Sequence, residues 1–378
     1  MKNNKDACVV QVCAGYPPDR IGGIENIVQA LHTFLMRSSY SSYVITRRWK
    51  GYVSENQVIQ LDTPKAEALG YLIWCVKALL MIRRLKPRIV HCHGLEGAII
   101  CLLLYPSKIK KVMHLHNAIS REVGYRSKPS HLIGLQILKL SMKAARLVIC
   151  PTKAARDDLI SNTAPYMFRK TVVIPNFCRD PSQISNKEIQ VTRQKLGVED
   201  KKIILYFGKI KSTKGIEDIC KAYNLMGHKS QVSLVLAGMG TATNRFFMKL
   251  KKLYPDVILT GYVDNPSIFY RMADAFCIYT DSFAGGETFA MSLADAMLHQ
   301  VPIIASDNII YKEVTNGNAV FVPSNDPLSL AKAFDFVLQN KEKISYQIAR
   351  AKLFAEEKYA KHRFLAKMDV TYQWLLGQ

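Results

Sequence analysis

The sequence has no closely spaced pair of cysteines. Nine are present, an odd number, and Cys8, Cys13, Cys75, Cys101, Cys150, Cys220 and Cys277 fall singly inside apolar stretches. Such spacing argues against a zinc ribbon or a disulfide-stapled scaffold and suits small core residues in a reducing compartment. Long hydrophobic runs are also missing. A membrane span needs about 20 consecutive apolar residues, whereas the longest runs here, residues 69–82 and 98–105, are interrupted or short and fit core helices. The opening MKNNKDACVVQV shows no apolar signal region with a cleavage site, because a strand pattern begins at once, and cytoplasmic residence is expected. The first glycine loop, residues 15–23, carries neither a Gly-Lys-Ser/Thr ending nor Gly-x-Gly-x-x-Gly spacing, so a P-loop and a simple dinucleotide site are set aside.

Acid is in short supply as well. Against 52 Lys and Arg stand 30 Asp and Glu, a net charge of +22. Of this, +16 lies in residues 1–180 and +6 in the rest. Such asymmetry calls for a polyanionic partner: nucleic acid, an anionic membrane surface, or a phosphate-bearing substrate. The remaining composition is that of a globular protein, and 378 residues are too many for one ordinary core, so two domains are expected.

Along the chain, short apolar runs alternate with helical patterns. Strands are predicted at residues 7–14, 42–46, 88–93, 111–116, 147–150 and 171–175. Helices are predicted at 24–35, 65–85, 96–104, 131–145 and from Thr152. Near-continuous apolar strands in βαβ order imply a parallel sheet covered on both faces. A polar connection after Asn176 carries at most one short helix and marks the boundary between domains of residues 1–180 and 181–359. A second series follows, with strands at 203–207, 232–237, 257–259, 276–279, 301–305 and 319–322. Helices from Pro327 end the chain, and residues 360–378 are expected to pack back on the first domain. The simplest architecture is α/β, two doubly wound Rossmann-like units whose glycine loops face a central cleft.

Residues 285–297, Gly-Gly-Glu-Thr-Phe-Ala-Met-Ser-Leu-Ala-Asp-Ala-Met, read as a loop feeding a helix that begins near Glu287, followed by the strand at Val301. The first amides of a helix have no intrahelical partner and carry the positive end of its dipole, which makes a phosphate site. Glu287 and Asp295, eight residues apart, would lie on roughly one helical face and could hold the two sugars of a diphosphate. An ordinary amphipathic helix with solvated acids is the alternative. His91-x-His93 and His114-x-His116 place histidines two apart on predicted strands, so four imidazoles could meet around a metal. Packed, hydrogen-bonded histidines are the preferred reading, because a cytoplasmic zinc site usually recruits cysteine or a carboxylate as well.

Taken in order, Gly208-Lys209-Ile210-Lys211-Ser212-Thr213-Lys214-Gly215, Ala237-Gly238-Met239-Gly240, Thr260-Gly261-Tyr262-Val263 and Glu287 through Asp295 resemble the C-terminal domain of retaining GT-B glycosyltransferases of family 4. Pro17-Pro18 with Gly22-Gly23-Ile24-Glu25, the His91-x-His93 strand, the His116 strand and Val173-Ile174-Pro175-Asn176 resemble the N-terminal domain. The resemblance covers nearly the full chain.

It implies a nucleotide-diphosphate sugar donor, UDP- or GDP-linked, with no further cofactor and no metal. Lys209 and Lys214 would neutralise the diphosphate. Lysine stands at the first of these positions where arginine is usual, so a bidentate fork becomes a point charge. Glu287 would contact the transferred sugar. Asp295, one methylene shorter than the usual glutamate, would hold the ribose. Thr288-Phe289-Ala290 replaces the usual Gly-Phe-Gly, so side chains stand where bare backbone meets the sugar. Gly208 lies in the same donor loop, backbone at Tyr262 and Val263 would meet the base, Gly22 and Gly23 the phosphates, and His116 the sugar or the acceptor.

The expected reaction is retaining transfer to a hydroxyl of a lipid-linked saccharide in polysaccharide or glycolipid assembly. The enzyme would be peripheral on the inner face of the plasma membrane, drawn there by basic residues including Arg47, Arg48, Arg83, Arg84, Lys108 and Arg126, with Trp49, Tyr52, Tyr71 and Trp74 at headgroup level. A sugar-nucleotide epimerase of the same fold is the enzymatic rival. A nucleic-acid-binding protein is the other, disfavoured because the basic residues are dispersed and no base-reading module appears.

Overall fold

The computed structural model describes residues 7–49, 51–64, 67–119, 129–239, 245–280 and 286–377. The chain divides into two compact units, one of Met1–Asn176 with His362–Gln378, the other of Phe177–Lys361.

The first unit is built on a seven-stranded sheet of order β3-β2-β1-β4-β5-β6-β7, with every neighbouring pair parallel. Its strands are β1 (Ala7–Val12), β2 (Tyr40–Arg47), β3 (Val58–Leu61), β4 (Ile89–His93), β5 (Lys110–His114), β6 (Leu147–Cys150) and β7 (Thr171–Val173). Val9, Val10, Val12, Val44, Ile45, Val90, Val112 and Val148 are all fully buried, as a sheet covered on both faces requires. Helices α1 (Gly23–Arg37), α2 (Glu67–Leu85), α3 (Gly94–Leu103), α4 (Pro129–Ala144) and α5 (Lys153–Asn162) connect the strands.

The second unit carries a six-stranded sheet of order β10-β9-β8-β11-β12-β13, again parallel throughout. Its strands are β8 (Lys202–Phe207), β9 (Val232–Ala237), β10 (Ile258–Gly261), β11 (Ala275–Ile278), β12 (Ile303–Ser306) and β13 (Val320–Val322). Helix α6 (Asn186–Leu196) precedes the sheet, opened by a Ser185/Glu188 capping box and closed by left-handed Gly197. Its other helices are α7 (Ile216–Asn224), α8 (Arg245–Leu253), α9 (Pro266–Met272), α10 (Met291–Leu298), α11 (Ile309–Thr315), α12 (Pro327–Gln339) and α13 (Ser345–Lys358).

The last helix, α14 (Lys361–Gly377), buries Phe364, Met368, Tyr372 and Leu375. In the first unit Tyr40 donates to Asp369 at 2.8 Å, and Arg88 donates to the Leu376 carbonyl at 3.0 Å. Arg146 lies 5.7 Å from the Trp374 ring centre.

Three local expectations are corrected. Strand β3 was not anticipated; it is a four-residue edge strand with mostly half-buried positions, so its apolar signal is weak. Strand β5 ends at His114, which leaves His116 beyond the ladder. Helix α10 starts at Met291, not near Glu287. Thr288, Phe289 and Ala290 are buried, and Phe289 packs edge-on against Tyr359 with ring centres 5.0 Å apart. Tertiary packing therefore draws these residues into an irregular approach to the helix, and Glu287 and Asp295 do not share a helical face.

Candidate functional site

In each sheet the strand order reverses at a switch point, between β1 and β4 in the first unit and between β8 and β11 in the second. The loops leaving the carboxyl ends of such strands diverge to opposite faces and open a crevice, the usual ligand position in open α/β sheets. The second unit fills this position with charged groups.

After β8 the chain runs through Gly208 and Lys209 into one turn of 3₁₀ helix, Ser212–Lys214, and then Gly215 at φ 62°. A Cβ on Gly215 would sit 1.9 Å from the Tyr279 carbonyl oxygen, so only glycine lets the β8 loop lie against the end of β11. A Cβ on Gly238, just past β9, would sit 2.0 Å from the Gly208 carbonyl oxygen. These two close approaches draw the three loop starts together.

Into that space Lys214 Nζ and Glu287 Oε1 project as an ion pair, their side chains 20% and 22% exposed. The lysine comes from the loop after β8 and the glutamate from the loop after β11, so the pair spans the switch point. Negative charge on Glu287 helps raise the phenol pKa values of Tyr206 and Tyr311, chiefly elevated by burial, which puts both rings near the carboxylate. Lys209 is exposed, and its carbonyl accepts a hydrogen bond from Tyr206 at 3.1 Å. Tyr262 is exposed and Val263 half-buried just beyond β10. Gly285, the first glycine of the Gly-Gly-Glu-Thr-Phe-Ala stretch, and Gly240 lie outside the described residues.

Asp295 has a different environment. It is 1% exposed, and one carboxylate oxygen accepts the Arg179 backbone N–H at 2.8 Å while the other accepts Arg179 Nε at 2.8 Å and also Nη2. Arg179 lies over Phe207 at 5.2 Å. His299 Nδ1 bonds the Asp295 carbonyl at 2.8 Å and its ring stacks on Tyr270. Beside the pair opens a pocket of about 550 Å³ walled by Asp264, Asn265, Tyr270 and His299 among others. Sequence reasoning missed Arg179. The only signal was its position, three residues after the Val173-Ile174-Pro175-Asn176 motif.

In the first unit Gly22 is the N-cap of α1 and Gly23 its first residue, with no side-chain cap. Glu25 in that first turn is buried and pairs with Arg20 at 3.1 Å. His116 is held by His93, whose Nδ1 lies 3.0 Å from His116 Nε2. Burial, together with the neighbouring His114 and His93, holds the His116 pKa well below its usual value, so the ring is neutral at pH 7. Trp74 is 1% exposed and Tyr71 bonds Glu96 at 2.8 Å, so neither is available at a headgroup surface, unlike Trp49 and Tyr52 at 45% and 73% exposure. Arg126 falls outside the described residues.

Comparison with known proteins defines the class. Residues 188–354 match the model of glycosyl transferases group 1, and residues 21–179 match that of glycosyltransferase family 4. An uncharacterised glycosyltransferase of Methanocaldococcus jannaschii is 25% identical over 375 residues, covering 93% of this chain and 94% of the relative. Among solved structures, sucrose-phosphate synthase from Thermosynechococcus elongatus superposes with a TM-score of 0.82 at 16% identity, covering 98% of this chain and 99% of that one. Anabaena HepE in complex with UDP and glucose superposes at 0.79 and 16% identity, over 97% and 99% of the two chains. The fold is GT-B. The chain belongs to the group 1, family 4 glycosyltransferases and is a glycosyltransferase.

The Arg179–Asp295 pair makes a stability prediction. Asp295→Ala leaves a two-thirds-buried guanidinium without its partner. The expected loss is roughly 2 kcal/mol, below the 3–5 of a fully buried pair because Arg179 keeps some solvent. Urea unfolding measures it, and an unchanged midpoint would mean that the pair contributes nothing.

Proposed function

We propose that the protein transfers a sugar, with retention of anomeric configuration, from a nucleotide-diphosphate sugar to a hydroxyl of a lipid-linked saccharide. The observation that carries this reading is the Lys214–Glu287 pair at the β8/β11 switch point. Without donor the two groups neutralise each other. A diphosphate would compete for Lys214, release Glu287 toward the hydroxyls of the transferred sugar, and take up Lys209 as a second cation. As the glycosidic bond breaks, positive charge grows on the sugar and negative charge on the departing diphosphate. Fixed lysines aimed at the latter stabilise that separation more than they stabilise bound donor. The departing phosphate oxygen accepts the acceptor's proton, so no separate base is needed.

The nucleoside end would lie toward Tyr262 and Val263 and the pocket beside Asp295, with the ribose meeting the Arg179–Asp295 pair. The pocket volume is within the range of small-molecule sites. HepE's complex with UDP and glucose supports trying UDP-glucose first.

An anionic bilayer is the proposed home of the acceptor. Among the described residues no helix is long and apolar enough to cross a membrane. Helix α2, however, exposes Leu69, Leu72, Val76 and Leu80 along one side while burying Trp74, Ala78 and Ile82 on the other. Arg83 and Arg84 complete its last turn, both exposed. An apolar stripe ending in cations matches the chemistry of an interfacial helix on anionic lipid.

Three outcomes are expected. A panel of nucleotide sugars, with and without acceptor, yields one donor whose sugar appears on the acceptor, and Lys214→Ala or Glu287→Ala lowers that rate on the order of 100-fold. The double variant loses far less than the product of the two, because the groups are partners; near-wild-type turnover in either single variant removes the donor from this loop, and acceptor-independent conversion of the sugar indicates an epimerase. Transfer continues in EDTA, whereas complete loss reversed by a divalent ion would put the diphosphate on a metal. Vesicle flotation recovers the protein with anionic but not neutral lipid and declines steeply as salt shortens the Debye length from about 10 Å at 0.1 M to about 3 Å at 1 M; equal recovery on both lipids, or none, defeats the membrane reading.

A further inference from the structure

The first unit holds a cluster of histidines that the donor reading does not use. Strands β4 and β5 pair in a register that sets His93 directly beside His114, and His91 lies two residues back along β4 on the same face. His91 and His93 have ring centres 4.2 Å apart, and each lies 5.5 Å from His114. All three are at most 1% exposed.

Buried polar atoms are normally paired. Here His91 Nε2, His93 Nε2 and both ring nitrogens of His114 make no hydrogen bond of normal geometry among the described residues, although the Asn176 side chain, itself unpaired at Oδ1, stands near His114. One nitrogen from each ring falls in a group whose members lie within 4.8 Å of one another.

We propose that His91, His93 and His114 form a binding site for one divalent transition-metal ion, zinc by preference. Three neighbouring imidazoles are a donor set that suits zinc, copper, nickel and iron, and the lack of a carboxylate in the group disfavours magnesium and calcium; the His91 and His114 rings, stacked at 2° between planes, would have to turn to share one ion.

The atoms that are already paired support this assignment. A metal-bound histidine usually donates its other ring N–H to a second group that fixes its tautomer. His91 Nδ1 faces Tyr372 Oη at 2.7 Å, and His93 Nδ1 faces His116 Nε2 at 3.0 Å. With Nε2 on the ion, both Nδ1 atoms carry protons and both partners accept them. Zinc–nitrogen bonds of 2.0–2.1 Å in tetrahedral geometry put donor atoms roughly 3.4 Å apart, so nitrogens that lie within 4.8 Å of one another need close by at most about 1.4 Å, and the three rings fill three of the four positions.

The ion would bridge the two strands beneath α14, whose Tyr372 and Phe364 adjoin His91 and His114. It would also fix His116 as an acceptor at Nε2, with its own proton on Nδ1. Since the cluster has no exposed edge, loading would occur during folding.

The test uses untagged full-length protein folded in the presence of zinc and dialysed against EDTA. Elemental analysis is expected to find about one zinc per chain, and X-ray absorption is expected to show a nitrogen shell with imidazole scattering. His91→Gln and His114→Gln should each lower the retained zinc at least tenfold, whereas His32→Gln, a buried histidine outside the cluster, should not. Less than a tenth of an equivalent in wild type, a sulfur shell, or undiminished zinc in both variants overturns the proposal. The absorption spectrum of wild type decides the matter if the variants do not fold. Metal content, not transfer, is the readout, so this result stands apart from the donor reading.

Discussion

Parallel strands need helices on both faces, and that requirement determines where this protein can do chemistry. With the faces covered, the exposed places of a parallel sheet are its edges and strand ends, and only at a switch point do the loops leaving neighbouring strands part to leave a crevice. In the second unit β8 and β11 are those neighbours. Lys214 and Glu287 are 73 residues apart in sequence and come together because each follows one of these two strands. Gly215 then allows the β8 loop to approach the Tyr279 carbonyl closely enough for the lysine to reach across.

The two acids of the 285–297 stretch, Glu287 and Asp295, have unlike surroundings. Glu287 sits in an irregular segment, partly open, against a single lysine that a diphosphate could draw away. Asp295 is locked by three contacts to one arginine inside the unit. One keeps access to solvent and a single cationic partner, the other is fixed in place, a division in keeping with the proposed reacting and anchoring ends of one donor.

Much of this was legible in the order of residues. Strands β6 and β9 and the starts of helices α7 and α12 fall where apolar runs, Gly215 and Pro327 put them. What escaped is physically instructive. Residues 287–290 look like a helix start because Thr, Phe and Ala continue smoothly into Met291, but they are irregular, with Phe289 packed against Tyr359. The partner of Asp295 is 116 residues away and could not be read from local pattern. For the histidines the two-residue spacing was visible, but whether the strands are neighbours, and in what register, depends on topology. The histidines are packed, and His91 and His93 are each hydrogen-bonded through Nδ1, as expected; the sequence could not show that their other ring nitrogens would lack a bond of normal geometry.

The first unit begins at the amino terminus yet is completed by His362–Gln378. During synthesis, β1 through β7 leave the ribosome long before the helix that buries Tyr372 against His91 and ties Asp369 to Tyr40. The second unit is continuous from Phe177 to Lys361, so all of its elements are synthesised before the helix that completes the first. Domains ordinarily mature in chain order. Here the strands that carry the histidines are separated from the helix that covers that face by the whole length of the second unit.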